Sequence, residues 1–226
     1  MQATEIIQFL SALSENNNRE WFTENKKWFD KCKKEFDQLS TALISKIAEF
    51  DDDIKNVEAS ECVFRIYRDV RFSHDKTPYK THFGVFVASA GGRKSQRGGY
   101  YLHLDPAGCF VGVGVWCPQP NLLKALRKSV YDNIDELNEI RFEKNFASKF
   151  QNFFEEDKLK TVPAGFPKDF AEAELLKLKH YLVEYKFDAA LLDSDDFVNK
   201  ISDIFKTAYP FNKFLNYTVD EVIYSL

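Results

Sequence analysis

Residues 62–117 carry four segments with the residue pattern of β-strands, and this run constrains the fold more than any other part of the chain. The segments cover residues 62–72, 82–89, 99–105 and 109–116. They are rich in aromatic and β-branched residues. The third and fourth are joined by a Pro- and Gly-containing turn, while the glycine-rich connection 90–99 is long enough to be mobile. We therefore predict an antiparallel β-meander of four or more strands.

Helical patterns precede and follow the meander. Apolar residues recur at helical spacing in a short helix that Thr4 can cap, and in a longer helix that runs from about residue 19 to residue 50. Further helices are predicted after Pro120, from 194 to 207 and again after Pro210. A strand is predicted at 180–187.

The order of these blocks predicts the fold class. Helices, then a sheet, then helices indicate an α+β fold built on an antiparallel sheet, not a doubly wound parallel one. Neither an internal repeat nor an interdomain linker is evident, so residues 1–226 are predicted to form a single domain.

The composition fits a cytoplasmic protein with a core of its own. Of the 226 residues 44% are hydrophobic and 22 are Phe, which predicts an aromatic-rich interior. No run of about 18 apolar residues occurs, so no membrane-spanning helix is predicted, and the N-terminus does not resemble a secretion signal. The scattered cysteines favour buried free thiols; they are Cys32, Cys62, Cys109 and Cys117.

Basic charge is concentrated in one part of an acidic chain. The net charge of −4 disfavours general nucleic-acid binding. Residues 64–99, however, include eight cationic residues and only two aspartates. This stretch therefore has a net charge of +6, and the remainder of the chain has a net charge of −10. An anion-binding site requires such a concentration.

The stretch from Phe64 to Lys80 supplies the residue types for this site. A guanidinium group can hold phosphate or carboxylate through two parallel hydrogen bonds. The predicted anion-binding residues are Arg65, Arg68, Arg71 and Lys76. The predicted catalytic residues, for orienting an arginine or transferring a proton, are Asp69, His74 and Tyr79. Phe72 and Asp75 are predicted to support them.

Arg68 has two interpretations. If residues 64–72 form a regular strand, its guanidinium shares a face with Phe64 and Ile66. A bulge would then re-aim the side chain, or a carboxylate would accompany it into the interior. Both a functional and a structural role remain open.

The histidines and the glycines do not identify a cofactor, so the cofactor is unknown from the sequence. His74, His82 and His103 fall in or near the predicted sheet, which would suit acid–base catalysis or a metal. The spacings H-x-H and H-E-x-x-H are missing, so no metal site is predicted. The phosphate-binding glycine motifs and the nucleophile elbow are missing as well.

Two motifs carry a family resemblance. They are Arg65-x-x-Arg68-Asp69-x-Arg71-Phe72 and, following it, Asp75-Lys76-x-x-Tyr79. They resemble the signature of DUF2461, a widespread, mainly bacterial family of unknown function. Residues 18–25 and the glycine-rich strand ending in Trp116 are similar to that family as well. The resemblance covers nearly the whole chain and implies that the signature residues act as one unit, but it implies no activity.

The leading hypothesis is a site for a small anionic ligand, phosphate or nucleotide-like. Arg65, Arg68 and Arg71 would hold the anion, and phosphoester hydrolysis or transfer is the reaction that arginines suit best. One alternative is a single-stranded nucleic-acid-binding module, with bases stacked on aromatic residues beside the basic strip. Those aromatics are Tyr67, Phe72, Tyr79, Tyr100 and Tyr101, and the strip adds Arg93, Lys94 and Arg97. The other is a non-enzymatic scaffold in which the arginines are structural.

Overall fold

The computed structural model describes residues 4–224, which form nine α-helices and a four-stranded antiparallel sheet. The strands are β1 (Phe83–Val87), β2 (Gly99–Leu104), β3 (Cys109–Val115) and β4 (Tyr181–Phe187), and they lie in the order β1-β2-β3-β4. The helices are α1 (Thr4–Glu15), α2 (Arg19–Glu24), α3 (Lys26–Ile47), α4 (Ala59–Cys62), α5 (Pro120–Asp132), α6 (Ile134–Arg141), α7 (Lys144–Lys149), α8 (Ala173–Leu176) and α9 (Phe197–Tyr224). The predicted α+β class is confirmed.

The chain forms two compact units. The first comprises the chain up to Arg93, Tyr101–Val111 and Lys186–Asp203. The second comprises Lys94–Tyr100, Gly112–Tyr185 and the chain from Ile204. The single domain predicted for residues 1–226 stays a prediction.

Aromatic rings build the core of each unit, as the composition predicts. In the first unit the ring of Phe36 on α3 lies 5.1 Å from that of Phe83 on β1. In the second the ring of Tyr100 on β2 lies 5.3 Å from that of Phe205 on α9. All four side chains are buried, and burying a ring of this size contributes roughly 1.5–3 kcal/mol. No helix within residues 4–224 combines the length and the apolar character needed to cross a bilayer.

The strand predicted at 62–72 is wrong. α4 occupies its start, and the chain that follows makes isolated bridges, pairing Val63 with Val85 and Tyr67 with Tyr79. The segment pairs first with β1 and then with the residues just before β1. Because its partner changes within four residues, no continuous ladder forms.

The predicted break between two helices at Pro210 is also wrong, because α9 is one helix from Phe197 to Tyr224. A proline inside a helix removes a hydrogen bond and costs about 3 kcal/mol. Buried residues nevertheless continue at helical spacing on both sides of it, namely Phe205, Ala208, Phe211 and Leu215. Their combined burial outweighs the cost of the proline.

The four cysteines are free thiols, and three of them are buried as predicted. The exception is Cys117, which is exposed. It follows β3 in a turn with a φ of +50°, and its N–H donates to Nδ1 of His180 at 3.0 Å. The turn ends the strand before the thiol can enter the core, so a buried Cys117 was a wrong prediction.

Gly114 permits the close approach of β4 to β3. Its φ is +131°, and a Cβ atom at this position would lie 2.1 Å from the carbonyl oxygen of Tyr181. Gly112, two residues earlier on β3, has ordinary space: a Cβ atom there would lie 3.4 Å from the Leu182 side chain. The close approach of the two strands therefore requires glycine at position 114.

Gly114→Ala should destabilise the protein and Gly112→Ala should not. The clash with the Tyr181 carbonyl and the positive φ should cost at least about 2 kcal/mol, which lowers the melting temperature by roughly 4–8 °C. Thermal unfolding followed by circular dichroism measures both variants. Equal melting temperatures for the two variants would contradict this account of the β3–β4 contact.

Candidate functional site

Asn17 fixes the arginine-rich segment, residues 64–80, against the N-terminal helices. Its side-chain Nδ2 donates to the carbonyl of Tyr79 at 3.0 Å, and its Oδ1 accepts from the Tyr79 N–H at 3.1 Å. The Tyr79 ring stacks on Phe22, with centroids 4.0 Å apart and planes 15° apart. Burial raises the pKa of Tyr79. The structure thus places this predicted catalytic residue in the packing of the segment.

Two asparagines position Phe22 beneath the segment. Asn18 caps α2, because its Oδ1 accepts from the Trp21 N–H at 2.9 Å. Asn25 ends α2, since its Nδ2 donates to the Trp21 carbonyl at 2.9 Å. This break separates α2 from α3, where the sequence pattern predicted one continuous helix.

The Arg71 guanidinium forms an ion pair with Asp69. Its Nε donates to Oδ1 at 2.9 Å and its Nη2 to Oδ2 at 2.6 Å, which is the bidentate geometry predicted for an external anion. Hydrogen bonding to Arg71 lowers the pKa of Asp69 to about 2. Phe72 is 95% exposed beside this pair, with the Arg71 guanidinium carbon 5.9 Å from its ring centroid.

Arg68 is held by Asp75 and Thr77. Its Nη1 donates to Oδ2 of Asp75, to the hydroxyl of Thr77 and, at 3.3 Å, to the Thr77 carbonyl. Oδ1 of Asp75 accepts from the Thr77 N–H at 2.9 Å. That bond and the one from Arg68 lower the pKa of Asp75 to about 2.

Arg68 does not enter the core, contrary to the interpretation based on a regular strand. Its side chain is 26% exposed and that of Asp75 is 58% exposed. The guanidinium stays near solvent because the backbone turns away from β1 after Ile66. Partly exposed pairs of this kind stabilise a protein only modestly.

The two remaining polar residues of the predicted site lie at the exposed end of the segment. Lys76 Nζ donates to the carbonyl of Val70 at 2.9 Å, which ties the two sides of the turn together. His74 is exposed. Arg68, Arg71 and Lys76 therefore all bind partners within the segment itself.

Arg65 and Lys80 differ from these three cations. Within the described residues 4–224, neither side chain makes a salt bridge to a carboxylate. Lys80 is half-buried, with its ammonium 5.0 Å from the ring centroid of Phe64. Burial, and then the charge of Arg65, lower the pKa of Lys80. The positive charges of Arg65 and Lys80 therefore repel each other.

A second group of polar residues lies on and beside β2, where His103 and Asp105 meet His82 from the start of β1. Nε2 of His103 and Nδ1 of His82 lie 3.7 and 4.0 Å from the same oxygen, Oδ2 of Asp105. The two imidazole centroids are 4.5 Å apart. The hydroxyl of Tyr101 forms a 2.8 Å hydrogen bond with Nδ1 of His103.

Burial lowers the pKa of both imidazoles of this group. Burial, His103 and Lys80, in that order, lower the pKa of His82 to about 4. Burial also lowers the pKa of His103, against the opposing effect of Asp105. Asp105, at the start of the turn after β2, was not among the predicted site residues. The strand alternation that puts Tyr101 and His103 on one face of β2 was the signal that could have indicated the group.

The connection 90–99 is tied at both ends. Nη1 of Arg93 donates to the carbonyls of Ser60 and Glu61 at 2.8 and 2.7 Å, which caps α4. In the second unit Asn216 bonds both the N–H and the carbonyl of Gly98, at 2.8 and 3.1 Å. Arg93 is therefore engaged by the backbone and contributes little to a basic strip.

A cavity of about 290 Å³ lies within the second unit. Its walls include Phe146, Phe150 and Leu175, with Arg141 and Glu172 at its polar side. Arg141 is satisfied there, since Nη2 pairs with Glu172 and Nε donates to Asn138 at 2.6 Å. None of the predicted site residues lines this cavity, and its other two glutamates, Glu155 and Glu174, form salt bridges to Lys158 and Lys177.

These features define an α+β protein with a clamped, arginine-rich surface segment. The chain matches the family described as "Conserved hypothetical protein (DUF2461)" over residues 5–214, and it belongs to that family. The resemblance inferred from the sequence is confirmed. No curated protein and no solved structure matches the chain.

The ion pairs of the segment should be visible in the titration of its aspartates. Because the folded pKa of Asp69 lies below its ordinary 3.8, pairing with Arg71 stabilises the segment above that pH and is lost as the pH falls toward about 2. We expect the Asp69 carboxyl resonance to titrate near pH 2 and to move up toward 3.8 in Arg71→Ala. Carbon-detected NMR titration measures this.

Arg68→Ala is the matched control for that titration. It should raise the pKa of Asp75 and leave that of Asp69 in place, because the two pairs share no hydrogen bond. If the pKa values of both aspartates shift in either variant, the segment has unfolded. That result would contradict the view that the two ion pairs are independent.

Proposed function

We propose that the protein binds a small phosphate-bearing anion on the arginine-rich segment, with Arg65 and Lys80 as its principal contacts. One observation supports this: these two cations act on each other and neither forms a salt bridge within the described chain, whereas Arg68 and Arg71 each do. The Asp69 carboxylate acts on Arg65 only at longer range and is itself bonded to Arg71. A bound anion would relieve the repulsion between Arg65 and Lys80. It would also raise the depressed pKa of Lys80.

The two side chains suit a phosphate group in different ways. The guanidinium of Arg65 offers a fork of parallel donors, whereas the ammonium of Lys80 is a compact charge. Lys80 is half-buried against Phe64. Electrostatic attraction is stronger there than in bulk water, because fewer water molecules screen it.

The proposal concerns binding, and a reaction would be a further step. Phosphoester hydrolysis or transfer is the class of chemistry that clustered cations favour, through positioning and charge stabilisation. The predicted catalytic residues are constrained, since Asp69 is bonded to Arg71 and Tyr79 is packed on Phe22. His74 is exposed and unconstrained by any such contact.

Single-stranded nucleic acid is the second candidate ligand. The observation in its favour is two exposed rings in the segment, Phe72 at 95%, beside Arg71, and Tyr67 at 47%. Stacking of a base on such a ring contributes about 1–3 kcal/mol. Tyr79 and Tyr100 are buried, so they are not available for stacking.

Binding should be tested by thermal shift and by titration calorimetry, in buffer that contains a chelator. The probes are pyrophosphate, a nucleoside triphosphate, a sugar phosphate, a dicarboxylate and a single-stranded oligonucleotide. A probe at 100 times its dissociation constant stabilises a protein by about 2.7 kcal/mol, which is about 5–11 °C for a chain of this size. We expect that shift with phosphate-bearing probes.

Three variants assign the contacts. Arg65→Ala and Lys80→Met should each weaken binding at least about 10-fold, as expected for losing a charge-assisted hydrogen bond. Methionine keeps an apolar chain over Phe64, so it separates loss of charge from loss of packing. Arg71→Ala is the control and should bind normally. Loss of binding in Arg71→Ala alone would overturn the assignment, and preference for the oligonucleotide with steep salt dependence would favour the second candidate.

A further inference from the structure

Two imidazole nitrogens and one carboxylate oxygen converge at His82, His103 and Asp105. One potential ligand atom from each residue lies within 4.8 Å of the other two. The nitrogen–oxygen separations of 3.7 and 4.0 Å exceed the 2.7–3.2 Å range of N–H···O hydrogen bonds. Neither imidazole therefore makes a hydrogen bond of ordinary length to Asp105, although one potential ligand atom of each residue lies close to those of the other two.

We propose that His82, His103 and Asp105 bind a divalent transition-metal ion, with zinc as the best-fitting ion. The donor set is two imidazoles and a carboxylate, which suits zinc and its neighbours and not magnesium or calcium. A tetrahedral zinc ion with bonds of about 2.0–2.1 Å separates its ligand atoms by about 3.3 Å. Reaching that value requires the two nitrogen–oxygen separations, 3.7 and 4.0 Å, to shorten by about 0.4 and 0.7 Å.

The surroundings supply the outer hydrogen bonds that metal ligands require. Nδ1 of His103 bonds the Tyr101 hydroxyl at 2.8 Å, so with a metal on Nε2 the ring would carry its proton on Nδ1 and donate it to that oxygen. Oδ1 of Asp105 accepts from the Ala107 N–H at 2.8 Å, which leaves Oδ2 for the ion. The side chains of His103 and Asp105 are thus held in position by hydrogen bonds that do not involve the metal ion.

The backbone makes room for this arrangement and holds it rigidly. A Cβ atom at Gly84 would lie 2.8 Å from the Tyr101 hydroxyl, so the absence of a side chain on β1 lets that hydroxyl reach its position. The His103 ring stacks on Phe110 of β3, with centroids 4.6 Å apart. His103 lies on β2, and His82 and Asp105 are the residues directly before β1 and after β2, so the sheet restricts the movement of all three.

Three protein ligands leave the coordination sphere incomplete. The ligand side chains are 15–30% exposed, which gives water or an anion access to a fourth position. Closed structural zinc sites have four protein ligands, whereas sites with three and an open position bind water or substrate. The inference uses neither Arg65 nor Lys80, so it does not depend on the proposed anion site.

The test uses Zn²⁺ and Co²⁺ as probes on the full-length protein carrying Cys117→Ser, which removes the exposed thiol. Calorimetry should find one equivalent of Zn²⁺ bound, and Co²⁺ should give the visible absorption of a tetrahedral or five-coordinate ion. Asp105→Asn and His103→Ala should each weaken binding at least about 100-fold. Tyr101→Phe should weaken it about 10-fold, the low end for an outer-sphere partner.

His74→Ala is the matched control, because it removes an exposed imidazole that lies outside the group. It should bind both ions like the parent protein. Asp105→Asn preserves the shape of the side chain, so this variant should fold, which circular dichroism checks. It therefore tests the site even if His103→Ala unfolds. Absence of stoichiometric binding by the parent, or binding unchanged in folded Asp105→Asn, would overturn the inference. Loss of binding in His74→Ala would assign the ion to the surface instead.

Discussion

The position of the arginine-rich segment depends on the amide of Asn17. A single side chain satisfies both backbone groups of Tyr79, as a neighbouring β-strand would. The segment needs this partner because its own pairing changes from β1 to residues 78–80 and leaves backbone groups that no ladder covers. Stacking of Tyr79 on Phe22 adds the apolar contact. The helices preceding the sheet thereby determine where each charged side chain of the segment points.

Once the segment is fixed, its charges sort into two classes. Asp69 and Asp75 each lie close in sequence to one arginine and bind it, and Lys76 binds a carbonyl of the same turn. These contacts fix the conformation of the exposed end of the segment, and the two aspartates there compensate the charges of Arg68 and Arg71. Arg65 and Lys80 lie at the other end, next to the sheet, where neither forms a salt bridge within residues 4–224, although the charge of Asp69 acts on Arg65. The excess positive charge of residues 64–80 is therefore effective mainly beside β1.

The sequence predicted the sheet well and the site incompletely, for different reasons. Strand signals at β1 to β4 depend on local alternation and flanking turns, and that information is present in each segment. The segment 62–72 has the same composition, but its conformation depends on a change of partner, which a local pattern does not contain. The same limitation applied to Pro210, where burial along α9 outweighs the propensity of one residue. The group of His82, His103 and Asp105 forms only through the register of β1 against β2, so spacing along the chain did not reveal it.

Lys80 connects the two proposed sites electrostatically. Its charge acts on His82, one of the proposed metal ligands, and Arg65 acts on Lys80 in turn. A metal ion bound at His82 would add positive charge next to these cations, so the empty anion site would weaken the metal site. An anion held by Arg65 and Lys80 would remove that repulsion. Because such coupling between two ligands is reciprocal, the metal would strengthen anion binding by the same factor.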